Sequence, residues 1–241
     1  LIPVAEFPAQ NRDELYGGVA RIHWHNWFDL DRTIAVDASS HKSQFQHTGF
    51  IAQVAKDGVC DVFRDATGKR PSVNKHNPDV RINIRIDRDR CLVSLDSSGE
   101  RLHRRGYRLA AGDAPLKETL AAGILKRLGY HGGVTIYDPM CGSGTFLIEA
   151  ALMATQTPPG LMRIGESGYA FMRWLTHQPD AFRDYVRGLE SQIKPLDSGR
   201  FFGSDSDGRM IDIALRNIAK AGFESMIKLR RCTAAELTPD P

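Results

Sequence analysis

The chain has 241 residues, 41% of them apolar and 25% charged, the balance of a globular protein with room for one large or two modest domains, which sets aside disordered and collagen-like chains. No stretch approaches the roughly 18 consecutive apolar residues of a membrane span, and no charged segment leads into an apolar run at the N-terminus, so the expectation is a soluble, cytoplasmic chain with no membrane partner. The net charge is only +3, yet Arg64 to Arg108 holds twelve Lys or Arg against six Asp or Glu, a local excess that can serve as a phosphate footprint or as solvated surface.

Residues Leu1 to Leu30 mix apolar and polar side chains without a sustained period, as if the chain began inside a fold. Thr33 to Ala38 reads as a short strand. A helix follows over His47 to Arg64, with Ile51, Val54, Ala55, Val59, Val62 and Phe63 at helical spacing and Gly68 and Pro71 as its stop. Val80, Ile82, Ile84 and Ile86 alternate with Arg81, Asn83, Arg85 and Asp87, which predicts a half-buried strand. Cys91 to Asp96 supplies its antiparallel partner, although the turn between them lacks an Asn-Gly pair. The basic run from Arg101 to Arg108 sets Tyr107 among Arg101, Arg104, Arg105 and Arg108, suited to phosphate pairing and base stacking, with a core role for Tyr107 as the alternative. Lys69, Arg70 and Lys75 extend this candidate nucleic-acid-binding set.

The character changes at Ala110 to Pro115, which predicts a domain boundary dividing 1–109 from 110–241. A helix through Leu128 follows, with Asp113 as cap, Pro115 early and Leu116, Leu120, Ile124 and Leu128 along one face. Strand (Val134 to Tyr137), glycine turn, helix (Phe146 to Thr155), further helical sequence, strand (Arg200 to Ser204), helix (Arg209 to Ala221) and strand (Met226 to Arg231) complete a βαβ pattern, which implies a parallel sheet. Between strand and helix lies Asp138-Pro139-Met140-Cys141-Gly142-Ser143-Gly144-Thr145. Gly142 and Gly144 let a ligand approach the backbone at the carboxyl end of a strand. No lysine follows, so this is not a phosphate loop, and the third glycine of a dinucleotide fingerprint is missing. Asp138 at the strand tip can accept hydrogen bonds from an ammonium group, which favours a cofactor with an amino-acid end.

These eight residues resemble the first motif, D-P-x-C-G-S-G-T, of class I S-adenosylmethionine-dependent methyltransferases that modify amino groups of bases. With Phe146 to Ala151, Pro115 to Ala122 and Leu102 to Arg108, the chain from about Thr33 resembles the THUMP-containing methyltransferases of the 23S ribosomal RNA guanine-N2 type. The resemblance implies an α/β chain in which an α+β THUMP-like RNA-binding domain precedes a partial doubly wound, Rossmann-like methyltransferase domain. S-adenosyl-L-methionine is then the cofactor and ribosomal RNA the partner. Asp138 to Thr145 would bind the cofactor, with Asp205 and Ser206 of Phe202 to Asp207 at the ribose and Thr233 and Ala234 near the adenine; Thr233 stands where the family usually has Asp. A helix cap is the alternative for Asp205. The interval from Asp138 to Asp205 exceeds the roughly 20 residues of a compact site, and an inserted helical segment around Tyr169 to Ile193 accounts for the excess. The family's N-P-P-Y motif does not occur up to Pro241, so no catalytic residue is assigned and a fragment of a longer protein is expected. A DNA adenine-N6 or cytosine-N4 methylase and a non-catalytic RNA-binding module are the competing readings.

Other chemistry is not expected. Cys60, Cys91, Cys141 and Cys232 lie too far apart for a zinc knuckle or disulfide framework, and Cys141 lacks an activating partner, so it reads as a small turn residue. His23 and His25 flank Trp24 with no evident carboxylate or cysteine partner, which favours packing over metal. Lys117 and Glu118 either border the cofactor or form a solvated pair.

Overall fold

The computed structural model describes residues 1–165, 168–195 and 200–236. Contacts divide the chain into two units, Leu1–Glu100 with Tyr169–Pro179, and Arg101–Gly168 with Asp180–Pro241.

In the first unit, β1 (Ile2–Pro8), α1 (Arg12–Ala20), β2 (Ile34–His41), α2 (Thr48–Thr67), β3 (Val80–Asp87) and β4 (Arg90–Leu95) form a four-stranded sheet of order β1-β4-β3-β2 under two helices. The alternation of β3 sets the core: Val80, Ile82, Ile84 and Ile86 are buried, and Ile51, Val54, Val59 and Phe63 of α2 join the same cluster. β2 and β3 run parallel, which requires the α2 crossover, while β3 and β4 form the expected antiparallel hairpin. Its turn works without Asn-Gly because Arg88 and Asp89 both take positive φ, 50° and 57°, and Asp89 is held there by Ser43 Oγ and the Gln44 amide. Gly68 ends α2 in a left-handed cap.

The opening residues, which show no period, form β1 and α1. Pro3 and Pro8 are tolerated because β1 is an edge strand, and a register shift between Pro3 and Ala5 breaks its alternation. α1 buries only Leu15, Gly18 and Val19, too narrow a stripe to register as periodicity.

The second unit contains α3 (Glu118–Arg127), β5 (Ile136–Asp138), α4 (Thr145–Ala154), α5 (Leu161–Ile164), α6 (Pro179–Glu190), β6 (Phe201–Asp205), α7 (Gly208–Ala221) and β7 (Ile227–Arg231). β5, β6 and β7 pair in that order, all parallel. Three expectations are corrected. The division falls between Glu100 and Arg101, ahead of the compositional change at Ala110, because Arg105, Tyr107 and Arg108 bond within the second unit. α3 starts at Glu118, since Lys117 is extended, so Asp113 is no cap and Pro115 precedes the helix; its row Leu120, Ile124 and Leu128 faces outward, and Ala121 and Leu125 pack inward. The segment Tyr169–Pro179, expected as part of an inserted helix, packs with the first unit instead, where the Phe171 amide donates to Ser97.

Gly203 sets how closely β6 can approach α4. A Cβ there would lie 2.5 Å from Leu147 and 2.9 Å from Leu229. Gly203→Ala is therefore expected to destabilise the chain by about 1–3 kcal/mol through overpacking. Gly123→Ala, in the exposed interior of α3 with nothing near its Cβ, is expected to stabilise it by about 0.5–1 kcal/mol. Urea denaturation of both variants checks the opposite signs.

Candidate functional site

β5 ends on Asp138, and the chain turns through Gly142 and Gly144 into α4. Both glycines have positive φ, 52° and 80°, a conformation that side chains disfavour. The neighbouring strand holds the turn in place. Cys141 N–H donates to the Ser204 carbonyl at 2.8 Å, Ser204 Oγ donates to the Pro139 carbonyl at 3.1 Å, and Gly142 N–H donates to Asp205 Oδ2 at 3.0 Å. The parallel register puts Asp138 opposite Gly203 and Asp205 opposite Arg231, so the carboxyl ends of the strands gather at one rim.

Asp205 is not the cap of α7. Asp207 takes that role through the Arg209 amide at 2.9 Å, while Asp205 Oδ1 accepts from the Asp207 amide at 3.0 Å. Ser206 follows at the same rim. Thr233 and Ala234 lie just past β7, exposed, with Thr233 N–H bonded to Glu236.

A cavity of about 200 Å³ opens at the turn. Asp138, Met140, Cys141, Gly142, Ser143 and Thr145 line it, joined by residues that sequence reasoning did not select: Gly112, Ala114, Pro115 and Leu116 before α3, Phe146 on α4 and Met210 on α7. No Lys or Arg is among them. Burial raises the Asp138 carboxyl above the ordinary aspartate range, the Met140 amide counters this, and Asp205 adds to it. One Asp138 oxygen accepts from Met140 at 3.2 Å, and the other has no hydrogen-bond partner among the described residues. An acidic, cation-free pocket suits a positively charged ligand and opposes a polyphosphate. Cys141 is pushed up to about 12, first by burial and then by Asp138 and Asp205, so it is a protonated turn residue and no nucleophile.

Part of the run expected to meet RNA, Arg105, Tyr107 and Arg108, faces inward instead. Arg108 bridges the turn to the start of α3: Nε donates to Glu118 Oε1 at 2.8 Å, Nη1 to Ser143 Oγ at 3.0 Å, and Nη2 to the Leu116 carbonyl at 2.8 Å and Thr145 Oγ1 at 2.9 Å. Arg105 Nη2 donates to Glu149 Oε2 at 3.2 Å, and Tyr107, 1% exposed, donates to Glu149 Oε1 at 3.0 Å. Tyr107 is thus a core residue in this fold and presents no ring for stacking. Glu118 and Glu149 are themselves buried, and their need for counter-charges draws these side chains in. Asn217 completes the frame by accepting from Leu109 N–H at 2.8 Å and donating to the Ala110 and Ser143 carbonyls, each at 3.1 Å. The signal available in the sequence was an acid inside an otherwise apolar helix, Glu149 within Phe146 to Met153.

Arg101 and Arg104 are exposed in the second unit; Lys69, Arg70 and Lys75 are exposed in the first, where Arg70 pairs with Asp61 at 2.6 Å. Trp24 is core, and His25 packs edge-on to Phe63 with 4.4 Å between ring centroids. Among the described residues no group of three His, Cys, Asp or Glu could hold a metal, and no helix is long and apolar enough to cross a membrane.

A family model described as "RMKL-like, methyltransferase domain" matches residues 105–241, and one for the THUMP domain matches residues 9–96. The chain is 41% identical to ribosomal RNA large subunit methyltransferase K/L of Methylococcus capsulatus, over 99% of this chain and 33% of that protein. It thus spans about a third of that relative's length. The crystal structure of SMU.472 complexed with SAH matches with a TM-score of 0.85 and 29% identity, over 99% of this chain and 62% of that one. A predicted N6-adenine-specific DNA methylase from Listeria monocytogenes matches with a TM-score of 0.86, also at 29% identity and the same coverage. The fold is a THUMP-like domain followed by a Rossmann-like methyltransferase fold.

Removing the Arg108 guanidinium strands Glu118 in the interior and frees Ser143 and Thr145. Arg108→Ala is expected to cost about 3–5 kcal/mol, the penalty for an uncompensated buried charge, and Arg108→Lys to recover only part, since an ammonium cannot reproduce the fork. Arg101→Ala should stay within about 0.5 kcal/mol. Denaturant midpoints of the three variants read the difference.

Proposed function

We propose that this chain, which belongs to the RMKL-like methyltransferase domain family and carries a THUMP domain ahead of it, binds S-adenosyl-L-methionine in the Asp138 to Thr145 turn and serves methylation of an exocyclic amino group of guanine in 23S ribosomal RNA. The observation that carries the reading is the acidic, cation-free cavity at the carboxyl end of β5. The donor is a cation at both its ammonium and its sulfonium. When bound it supplies a methyl group on positively charged sulfur, already activated for transfer.

The residues present fit such a group. Asp138, with one oxygen unengaged, would hold the ammonium. Asp205 keeps lone pairs for ribose hydroxyls beyond its bonds to Gly142 and Asp207. Gly142 and Gly144 give backbone clearance, and Ser143 and Thr145 are fixed from behind by Arg108. Such a site works by alignment: it orients donor and acceptor and supplies no nucleophile of its own. The THUMP domain supports RNA over DNA as the acceptor, and a ribosomal substrate implies a cytoplasmic setting.

S-adenosylmethionine should raise the melting temperature of the chain, by the equivalent of about 2.7 kcal/mol at a hundredfold excess over its dissociation constant. Stabilisation by ATP or NAD with none by S-adenosylmethionine would overturn the reading.

The pH dependence follows from Asp138. Its folded carboxyl holds a proton more tightly than an ordinary aspartate, so without ligand this group favours the fold at low pH, and that contribution is lost as pH rises through the raised pKa. The ammonium needs the carboxylate. Affinity should therefore fall as pH is lowered through that raised value, and Asp138→Asn should bind more weakly with this step absent. Calorimetry at a series of pH values tests both. For Asp205→Ala, loss of a charge-assisted bond predicts roughly a tenfold to hundredfold weaker affinity.

A further inference from the structure

The first unit holds a second cavity, of about 410 Å³, that the methyl-transfer reading does not use. Its floor is Phe7, whose ring fills the place where a Cβ on Gly18 would go. Above it stand Arg21, His23, Asn26 and Trp27, from the end of α1 and the short turn Trp24–Asn26.

Three features make this more than a surface dent. Trp27 is half-buried and lines the cavity, whereas Trp24 and Trp174 are core, so part of one indole borders the cavity. That indole is fixed in advance: Trp174 packs perpendicular to it, at 5.7 Å and 85°, and Leu175 N–H donates to the Trp27 carbonyl at 3.0 Å. The returning segment Tyr169–Pro179 thus braces the platform, which lowers the entropy lost on binding. Finally, Arg21 is exposed, and its guanidinium has neither an ion pair nor a hydrogen bond among the described residues. The Asn26 carboxamide and the His23 imidazole are likewise unengaged, while the one acid of the lining, Glu6, is tied to Arg90 at 2.9 Å.

We propose that this cavity is a subsite for one unpaired nucleotide of the RNA, with the base on Trp27, its edge read by Asn26 and His23, and its phosphate on Arg21. An aromatic plate with in-plane donors and acceptors and one free guanidinium is the chemistry that single-stranded nucleic acid calls for. A purely anionic ligand would not need the indole, and an apolar one would not need the open polar groups. The inference rests on the RNA partner proposed above and names where that partner is held.

The test is fluorescence titration of the 241-residue chain with a short single-stranded oligoadenylate. Binding should quench tryptophan emission, and Trp27→Phe should retain most of the affinity while abolishing the quench. Trp27→Ala should weaken binding by about fivefold to more than a hundredfold. Arg21→Ala should lower the slope of log affinity against log salt by about 0.7, with S-adenosylmethionine binding unchanged. Should Trp27→Ala fail to fold, the exposed positions Arg21 and Asn26 decide. RNA bound by the wild type but with wild-type affinity and salt slope in Arg21→Ala and Asn26→Ala removes the subsite and leaves RNA as partner. No RNA binding by the wild type removes both.

Discussion

A carboxylate inside a packed apolar layer has to find a counter-charge, and in the second unit Glu149 and Glu118 impose that demand on everything around the glycine turn. Glu149 sits in α4 among Leu147, Ile148, Ala150 and Ala151, all buried. Burial pushes its carboxyl above the usual glutamate range, and the Arg105 guanidinium and Tyr107 hydroxyl pull it back. An apolar residue at this position could have been as stable. What the acid adds is direction, because it accepts only from donors placed in a particular way. The result is that residues 105–108 are laid along α4 with Arg108 delivered to Ser143 and Thr145. The turn is then fixed on two sides, by Ser204 and Asp205 of β6 in front and by Arg108 and Asn217 behind.

This frame explains how a site can be acidic toward its ligand and still stable. The lining carboxylates Asp138 and neighbouring Asp205 are stabilised by backbone amides, not by cations. The guanidinium groups behind the turn, those of Arg105 and Arg108, are paired with Glu149 and Glu118. The lining therefore keeps a carboxylate and no Lys or Arg, and a cationic ligand meets it without having to displace an internal ion pair. Amide donors that are part of the main chain also need no reorganisation when the ligand arrives.

Much of this was legible in the residues. The alternation of Val80 to Asp87 and the spacing of α2 were plain because each pattern reports one buried face, and the glycine turn was plain because its chemistry is contained in eight consecutive residues. What stayed hidden depended on distant partners. β1 carries two prolines and a register shift, tolerable only because β4 alone pairs with it. α3 shows an apolar row at every fourth residue, yet it packs through Ala121 and Leu125, since the position of Arg108 dictates which side carries Glu118. The inward turn of Tyr107 could not be read without knowing that Glu149, more than forty positions away, would lie opposite its hydroxyl.

The charge pattern shows the same limit most sharply. Between Arg64 and Arg108 the basic excess looks like a surface for phosphates. However, Arg64 and Arg70 pair with Asp61, Arg81 with Asp37, Arg90 with Glu6, Arg105 with Glu149 and Arg108 with Glu118. All five of these acids lie outside the stretch in which the excess was counted. A run of charge along the chain is therefore not a field in space, because folding imports counter-charges from elsewhere. The converse holds for Arg21, which belongs to no run and stands alone between apolar and aromatic neighbours. With no acid drawn to it among the described residues, its charge remains for a ligand, and one such group beside a fixed indole says more about phosphate recognition than several that are already neutralised.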